Sequence, residues 1–292
     1  MSARLKLALT AAGGLVPRMV FGNYAGVGNN VKATRELARL RRAFAASPAG
    51  MPATDVASGA RFLSEKGYLL LQSPYDPELM RRIQRQYRAV VEDPAHSVAP
   101  ATAMPTYRHV KDPIHCIPEL HELINEQISA ILVSHYGCYF KVGHVRAWRT
   151  YHVPGVGAGE DVYSNTWHTD QCPVTSLRLF VYLSDEVTRN SGAFQFQSKP
   201  ETAEIVRSPG YLSRSIIVGK AKALVQDPTR IKYFEGGLGS ACFCNVQVCL
   251  HRAGVPGPGT MRDVAQFYLA PSDRPLEPDW HRKLPVDRGV MM

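Results

Sequence analysis

The stretch Ser164–Leu183, "SNTWHTDQCPVTSLRLFVYL", sets a His and an Asp one residue apart at the entrance to an apolar run. The run is rich in β-branched and aromatic residues and reads as a buried strand. In an extended chain residues i and i+2 face the same side, so His168 and Asp170 point together into whatever that segment lines. Two ligand-type side chains then share one face.

Short β-type runs surround this stretch from about residue 137 to 272. They are "CYFKVGHVRAWRTYHV", "TSLRLFVYLSD", "GAFQFQ", "GSACFCNVQVCLH" and "MRDVAQFYLAP", each bounded by Gly- or Pro-containing turns. Such a series predicts a mainly β domain of the sandwich or barrel kind, with flanking helices in an α+β arrangement. Residues 199–236 interrupt it with a mixed, charged insert, expected to form a lid or substrate loop.

The N-terminal part reads differently. Val31, Leu37, Leu40 and Phe44 fall near one stripe of an amphipathic helix over residues 31–46. The link "SPAGMP" follows and suggests a boundary, with a basic leader and helix over 1–55 and one domain over 56–292. "GYLLLQSPYDPELMRRIQRQYRAVVED" predicts a strand, a turn at Asp76-Pro77, and a helix through Val91 capped by Asp76. The N-terminal helices are expected to pack on one sheet.

The formal net charge of +9 on 292 residues looks like a clue to an acidic partner. Its position argues otherwise. Residues 1–50 hold eight Lys and Arg against the single acid Glu36, which leaves the body close to neutral. A nucleic-acid-binding domain is therefore not expected. The leader "MSARLKLALTAAGGLVPRMVFGNYAG" admits three readings: a targeting peptide, an interfacial helix in peripheral contact with a membrane surface, or a segment packed on the domain. No apolar run approaches the roughly 20 residues that a spanning helix needs. The six cysteines form no CxxC pair, which suits reduced thiols in a cytoplasmic protein, and Cys242 and Cys244 read as small core residues.

The run before His251 shows two unlike faces. Cys242, Cys244, Val246, Val248 and Leu250 would form a packing face, and Phe243, Asn245, Gln247, Cys249 and His251 a mixed face lining a cavity. "RAGVPGPGT" then turns the chain, and a hairpin returning through "MRDVAQFYLAP" would bring Arg262 back beside His251. Two imidazoles and one carboxylate are the ligand set of non-haem Fe(II) oxygenases. An Arg fork nearby suits a dicarboxylate.

"WHTD" at 167–170, "HRAG" at 251–254, Arg262, and the opening "EKGYLLLQSPYDPELMRRI" together resemble the phytanoyl-CoA dioxygenase family of Fe(II)/2-oxoglutarate oxygenases, over roughly residues 60–272. The resemblance implies a double-stranded β-helix, the cupin-like jelly roll. It implies Fe(II) held by His168, Asp170 and His251, 2-oxoglutarate held by Arg262, and O2 as cosubstrate. Oxidation of an unactivated C–H bond in a small or lipid-like metabolite, with hydroxylation as the default outcome, would follow. Three departures stand out: Ala253 where many members carry Ser, "QSKP" at 197–200 in place of "PGSH", and "GS" at 239–240 in place of "GD". Tyr182 or Thr260 is then expected to supply the missing cosubstrate hydrogen bond.

Arg146, Arg149 and Tyr151, on the strand upstream of the motif, are candidates for the substrate pocket, with solvent-facing arginines as the plainer alternative. Trp148, Trp167 and Phe180 are candidate cavity walls, and Asn245 and Gln247 follow from the mixed face. Two other functions stay open on the sequence alone. One is a hydrolase or isomerase using another divalent metal, and the other is a non-catalytic binding or sensing module.

Overall fold

Alternation along the long strands sorts the side chains into a helix-covered face and a cavity face, and this sorting positions the site. The computed structural model describes residues 24–45, 54–99, 106–155, 162 and 164–285. The basic leader with its expected membrane contact lies outside the described residues. The first half of the chain contains α1 (Tyr24–Ala45), α2 (Thr54–Lys66), β1 (Tyr68–Leu71), α3 (Pro77–Val91), β2 (Ser97–Val98), β3 (Tyr107–Val110), α4 (Pro113–Cys116), α5 (Glu126–Tyr136) and β4 (Tyr139–Tyr151). The second half contains β5 (Leu177–Tyr182), β6 (Glu186–Val187), β7 (Phe194–Phe196), α6 (Lys199–Arg207), β8 (Tyr211–Ser213), β9 (Ile216–Ile217), α7 (Gly219–Gln226), β10 (Lys232–Phe234), β11 (Gly236–Gly237), β12 (Ala241–Cys244), β13 (His251–Arg252) and β14 (Met261–Ser272).

Seven strands form one antiparallel sheet in the order β1-β12-β5-β14-β4-β3-β2, and a smaller sheet, β10-β7-β13, faces it. Phe180, Tyr182 and Val264 from the large sheet meet Phe194, Phe196 and Phe234 from the small one in a single apolar cluster. This is the double-stranded β-helix expected from the sequence. The helices cover the outer face of the large sheet, where Leu63, Ile83, Tyr87, Ile128 and Leu132 pack on Val145, Ala147, Leu179, Phe243 and Phe267.

Local chemistry accounts for the helix boundaries. Asp76 Oδ2 accepts from the Leu79 amide at 2.9 Å, and Pro77 takes the first turn where no amide donor is needed. Leu40 of α1 is buried in the same core, and Arg41 Nε donates to the Tyr136 carbonyl at 2.6 Å. Val31 departs from the predicted stripe and stays 45% exposed.

The run "GSACFCNVQVCLH" is not one strand. Asn245 ends β12: its Nδ2 donates to the Val174 carbonyl at 2.7 Å, its Oδ1 accepts from the Gln247 amide at 3.3 Å, and its backbone carbonyl accepts from the Val248 and Cys249 amides, both at 3.0 Å. A side chain able to bond backbone on both sides of itself favours a turn over a ladder. His251 therefore opens a separate strand in the small sheet. Nor do β13 and β14 form a hairpin, since residues 253–260 cross from the small sheet to the large one. Cys242 and Cys244 face the inter-sheet cluster, and Phe243 faces the helices.

The 199–236 segment folds as α6, β8, β9, α7 and β10. Ile205, Ala221 and Val225 from it bury Trp167 and Leu250. Its last strand, β10, pairs with β7 and so belongs to the small sheet.

Candidate metal centre

His168 sits on an extended segment that makes a single antiparallel bridge to His251, with amide-to-carbonyl distances of 3.0 and 2.9 Å in the two directions. Two residues on, the Asp170 amide donates to the Val246 carbonyl at 2.9 Å. Gln247, with its amide oriented to satisfy both ends, donates to the carbonyls of Asp170 and Cys172. These bonds hold the segment extended without a full strand, and they leave His168 and Asp170 on the same side.

The Nε2 atoms of His168 and His251 each lie 3.6 Å from Asp170 Oδ1. The ligand atoms of all three residues fall within 4.8 Å of one another, close enough to hold one metal ion. Each imidazole has its Nδ1 against a carbonyl, Thr166 at 2.7 Å for His168 and Cys249 at 3.0 Å for His251. A carbonyl only accepts, so each Nδ1 carries the proton and each Nε2 turns its lone pair toward the shared centre.

The electrostatics suit a cation at that point. Burial, helped by the neighbouring His251, holds His168 below the ordinary histidine value, so the neutral, ligating form is favoured. Burial works to raise Asp170, but His251 in its protonated form and Arg178 outweigh it and keep the carboxyl below its ordinary value.

The three side chains open into a cavity of about 430 Å³ between the sheets. Register explains its lining. Thr150, Trp148 and Arg146 of β4 stand opposite Arg262, Val264 and Gln266 of β14, which in turn pair with Tyr182 and Phe180 of β5 at Val264 and Gln266. All of these line the cavity. Arg262 is 4% exposed, bonds the Gly192 carbonyl through Nη1, and has Nη2 at 3.4 Å from Thr150 Oγ1.

Gly192 and Gly254 allow the close approach behind Arg262. Gly192 has φ +84°, and a Cβ on Gly254 would stand 2.4 Å from the Ala193 carbonyl oxygen. Only glycine fits both positions without moving backbone. The glycine of "HRAG" is thus accounted for by packing beside the cavity.

Several predicted pocket residues lie elsewhere. Arg149 and Tyr151 have the opposite parity to Arg146 and point to the helix side. There Arg149 makes a paired contact with Asp263, at 2.7 and 2.8 Å, and both Arg149 and Tyr151 bond Glu92 Oε1. Trp167, next to the inward-facing His168 in the chain, turns outward onto the 199–236 insert, and Arg252 lies 4.8 Å over its ring. Asn245 is spent on its turn, and Gln247 on the carbonyls behind the metal segment.

Of the two hydroxyls expected to replace Ser at position 253, neither is available for that purpose. Tyr182 lines the cavity, but its hydroxyl donates to the Phe234 carbonyl at 2.6 Å and accepts from the Phe194 amide at 3.3 Å. Thr260 is outside the cavity lining and donates to the carbonyls of Gly257 and Asn190. Thr150 is the hydroxyl beside Arg262. The sequence reading missed it, along with Arg178, Gln266 and Tyr268; counting by twos from Arg146 and Arg262 would have found Thr150, Gln266 and Tyr268.

No family model matches the chain. No curated protein matches it either. Solved structures do. The non-heme alpha ketoglutarate dependent epimerase SnoN from nogalamycin biosynthesis aligns with TM-score 0.55 at 13% identity, over 74% of this chain and 83% of its own. EctD from S. alaskensis, solved with 2-oxoglutarate and 5-hydroxyectoine, aligns with TM-score 0.55 at 16% identity, over 84% of this chain and 89% of its own. HygX from Streptomyces hygroscopicus, solved with nickel, 2-oxoglutarate and hygromycin B, aligns with TM-score 0.53 at 13% identity, over 79% and 96%. The chain has the jelly-roll fold that these 2-oxoglutarate-binding proteins share.

Proposed function

We propose that this protein is an Fe(II)/2-oxoglutarate-dependent dioxygenase of the phytanoyl-CoA dioxygenase type, acting on a small or lipid-like metabolite. The observation that carries the reading is the convergence of His168, Asp170 and His251, with both Nε2 atoms 3.6 Å from one carboxylate oxygen, at a cavity that also holds Arg262. The donor set fits the metal: two neutral imidazoles and a carboxylate bind one face of a ferrous ion and leave the other face for cosubstrate and oxygen. The crystallised neighbours with 2-oxoglutarate on the same fold support the cosubstrate.

Ferrous iron with 2-oxoglutarate and O2 supplies oxidation of an unactivated C–H bond, the 2-oxoglutarate leaving as succinate and CO2. The chain itself does the placing. Arg262 offers its guanidinium to the distal carboxylate of 2-oxoglutarate, as a charge-assisted pair in a buried setting. Thr150 takes the part of the absent Ser hydroxyl, and Ala253 leaves room beside it. Trp148 and Phe180 exclude water from the reacting carbon. Hydroxylation is the outcome we assign by default.

The test is anaerobic absorption of the full chain with Fe(II) and 2-oxoglutarate. A weak visible charge-transfer band is expected, absent in His168→Ala and needing more 2-oxoglutarate in Arg262→Ala. Bound iron with no band at any 2-oxoglutarate concentration would sink the reading and favour a metal-dependent hydrolase or a non-catalytic module.

A further inference from the structure

The cavity has a second cationic end that the iron and 2-oxoglutarate do not account for. Arg178 of β5 is 5% exposed, its guanidinium carbon stands 3.4 Å from the centroid of the Tyr268 ring, and its Nε has no hydrogen-bond partner. Among the described residues the one carboxylate near it is Asp170, at 3.7 Å, which is itself committed to the metal centre. Arg146 flanks the same ring at 5.5 Å, and its Nε donates to a neutral acceptor, His144 Nε2, at 2.9 Å. Register places this pair at the far end of the strands from Arg262: Tyr268, opposite Arg178, lies six residues further along β14.

Charge makes the point quantitative. Among the described residues three guanidinium groups line the cavity, Arg146, Arg178 and Arg262, against one carboxylate, Asp170. Ferrous iron and the 2-oxoglutarate dianion cancel each other, so loading the site leaves the excess of two positive charges in place. Buried cations without partners are costly, and a buried guanidinium with an open donor is normally met by an anion. The lining between the two ends includes the aromatic Trp148, Phe180 and Tyr107, beside Val264 and Gln266.

We infer that Arg178 and Arg146, set on either side of Tyr268, form an anion-binding subsite that selects substrates carrying a carboxylate or phosphate ester on an apolar or aromatic body. The inference rests on the oxygenase reading for its charge balance. The two anions share one chemistry, an oxyanion that accepts from a guanidinium fork.

The experiment uses the full chain loaded with Ni(II) and 2-oxoglutarate, which binds without turnover. The probes are 4-phenylbutyrate and phenyl phosphate, with 4-phenylbutanol and 4-phenylbutylamine as neutral and cationic counterparts, read by calorimetry and by shift in melting temperature. The expected result is at least tenfold tighter binding of an anionic probe than of the alcohol, with no measurable binding of the amine. Arg178→Met and Arg146→Met should each lower that affinity at least fivefold, and the preferred anion identifies carboxylate or phosphate. Equal binding of the alcohol, absence of anion binding, or anion binding unchanged in both variants overturns the inference. So does a loss of 2-oxoglutarate affinity in Arg178→Met as large as that in Arg262→Ala, because Arg178 would then serve the cosubstrate. The Fe(II)/2-oxoglutarate absorption band separates the two failures. A band without anion binding leaves the oxygenase reading intact, whereas a missing band removes that reading first.

Discussion

At position 253 a methyl group stands where the resembled pattern puts a hydroxyl, and Thr150, opposite Arg262 in the ladder, sets a hydroxyl 3.4 Å from Arg262 Nη2. A hydroxyl that bonds a charged group, here the cosubstrate carboxylate, contributes about 1.5–3 kcal/mol, or roughly ten- to 150-fold in affinity. Thr150→Val is therefore expected to weaken 2-oxoglutarate binding by that factor while leaving metal affinity unchanged. Ala253→Ser in the same background should restore part of the loss. Titration of the anaerobic absorption band measures both, and a Thr150→Val protein with wild-type cosubstrate affinity would show that the hydroxyl serves only Arg262. The ligand residues behave differently. His168→Ala removes a metal donor outright, and metal affinity should fall by more than about 100-fold, beyond the 10- to 100-fold range seen for groups that merely orient ligands. Competition with a colorimetric chelator reads this directly. The pairing of His168 with Asp170 was legible from their spacing, whereas His251 and Arg262 were reached through the family resemblance and through a continuous strand and hairpin that the structure does not form. Thr150 was not, because its role depends on which residue of another strand stands opposite it.

Strand parity does most of the work at the next scale. On β4 the even positions 146, 148 and 150 face the cavity, while 145, 147 and 149 face the helices. The register then shifts between Tyr268 and Leu269, so that Val142 and Phe140 join the helix-side core despite their even numbers. A single bulged residue, Gly143, thus lets one strand serve two surroundings. Arg149 shows what the sequence could not tell. Its charge suggests a pocket, but its parity puts it on Asp263, which stands directly opposite in the ladder, under α3. Removing Asp263 leaves the buried Arg149 with only the half-exposed Glu92 as a counter-charge, and the cost approaches the roughly 3–5 kcal/mol of a broken buried pair. Asp263→Ala should accordingly lower the urea midpoint strongly, whereas Arg149→Met with Asp263→Leu should recover most of the loss, the two hydrophobes filling similar volume. A double variant no more stable than Asp263→Ala would mean that the pair does more than neutralise itself. The break at Asn245 was equally invisible in a pattern of alternating residues, since one side chain bonding the backbone on both sides overrides the alternation that predicted a continuous strand.

For the whole molecule, charge totals misled in one respect and were silent in another. The formal +9 resides mainly in residues 1–50, while the charge that bears on the proposed ligand choice is the three-to-one excess of arginines over carboxylates among the described residues of the cavity. Only the fold brings those residues together. The clamp between α2 and α5 yields a prediction about the stability of the entire domain. His135 Nδ1 lies 2.9 Å from Ser64 Oγ, and burial pushes this imidazole down to about 4, against the opposing influence of the Ala60 backbone and with help from Arg41 and Lys199. In the unfolded chain the same group titrates near the ordinary value of about 6.5. Between those two values the unfolded state binds the extra proton, so stability rises with pH in that window. The contribution is complete above about pH 6.5 and is lost as the pH falls toward 4, with a total on the order of 3 kcal/mol. Urea unfolding at pH 7.5, 6 and 5 should therefore show a decline in the wild type that His135→Gln flattens, since glutamine has no proton to gain. Because the variant keeps every other titrating group, the difference between the two curves isolates His135. Parallel curves would mean that the imidazole is protonated in the folded state without penalty, and that the helix clamp tolerates its charge.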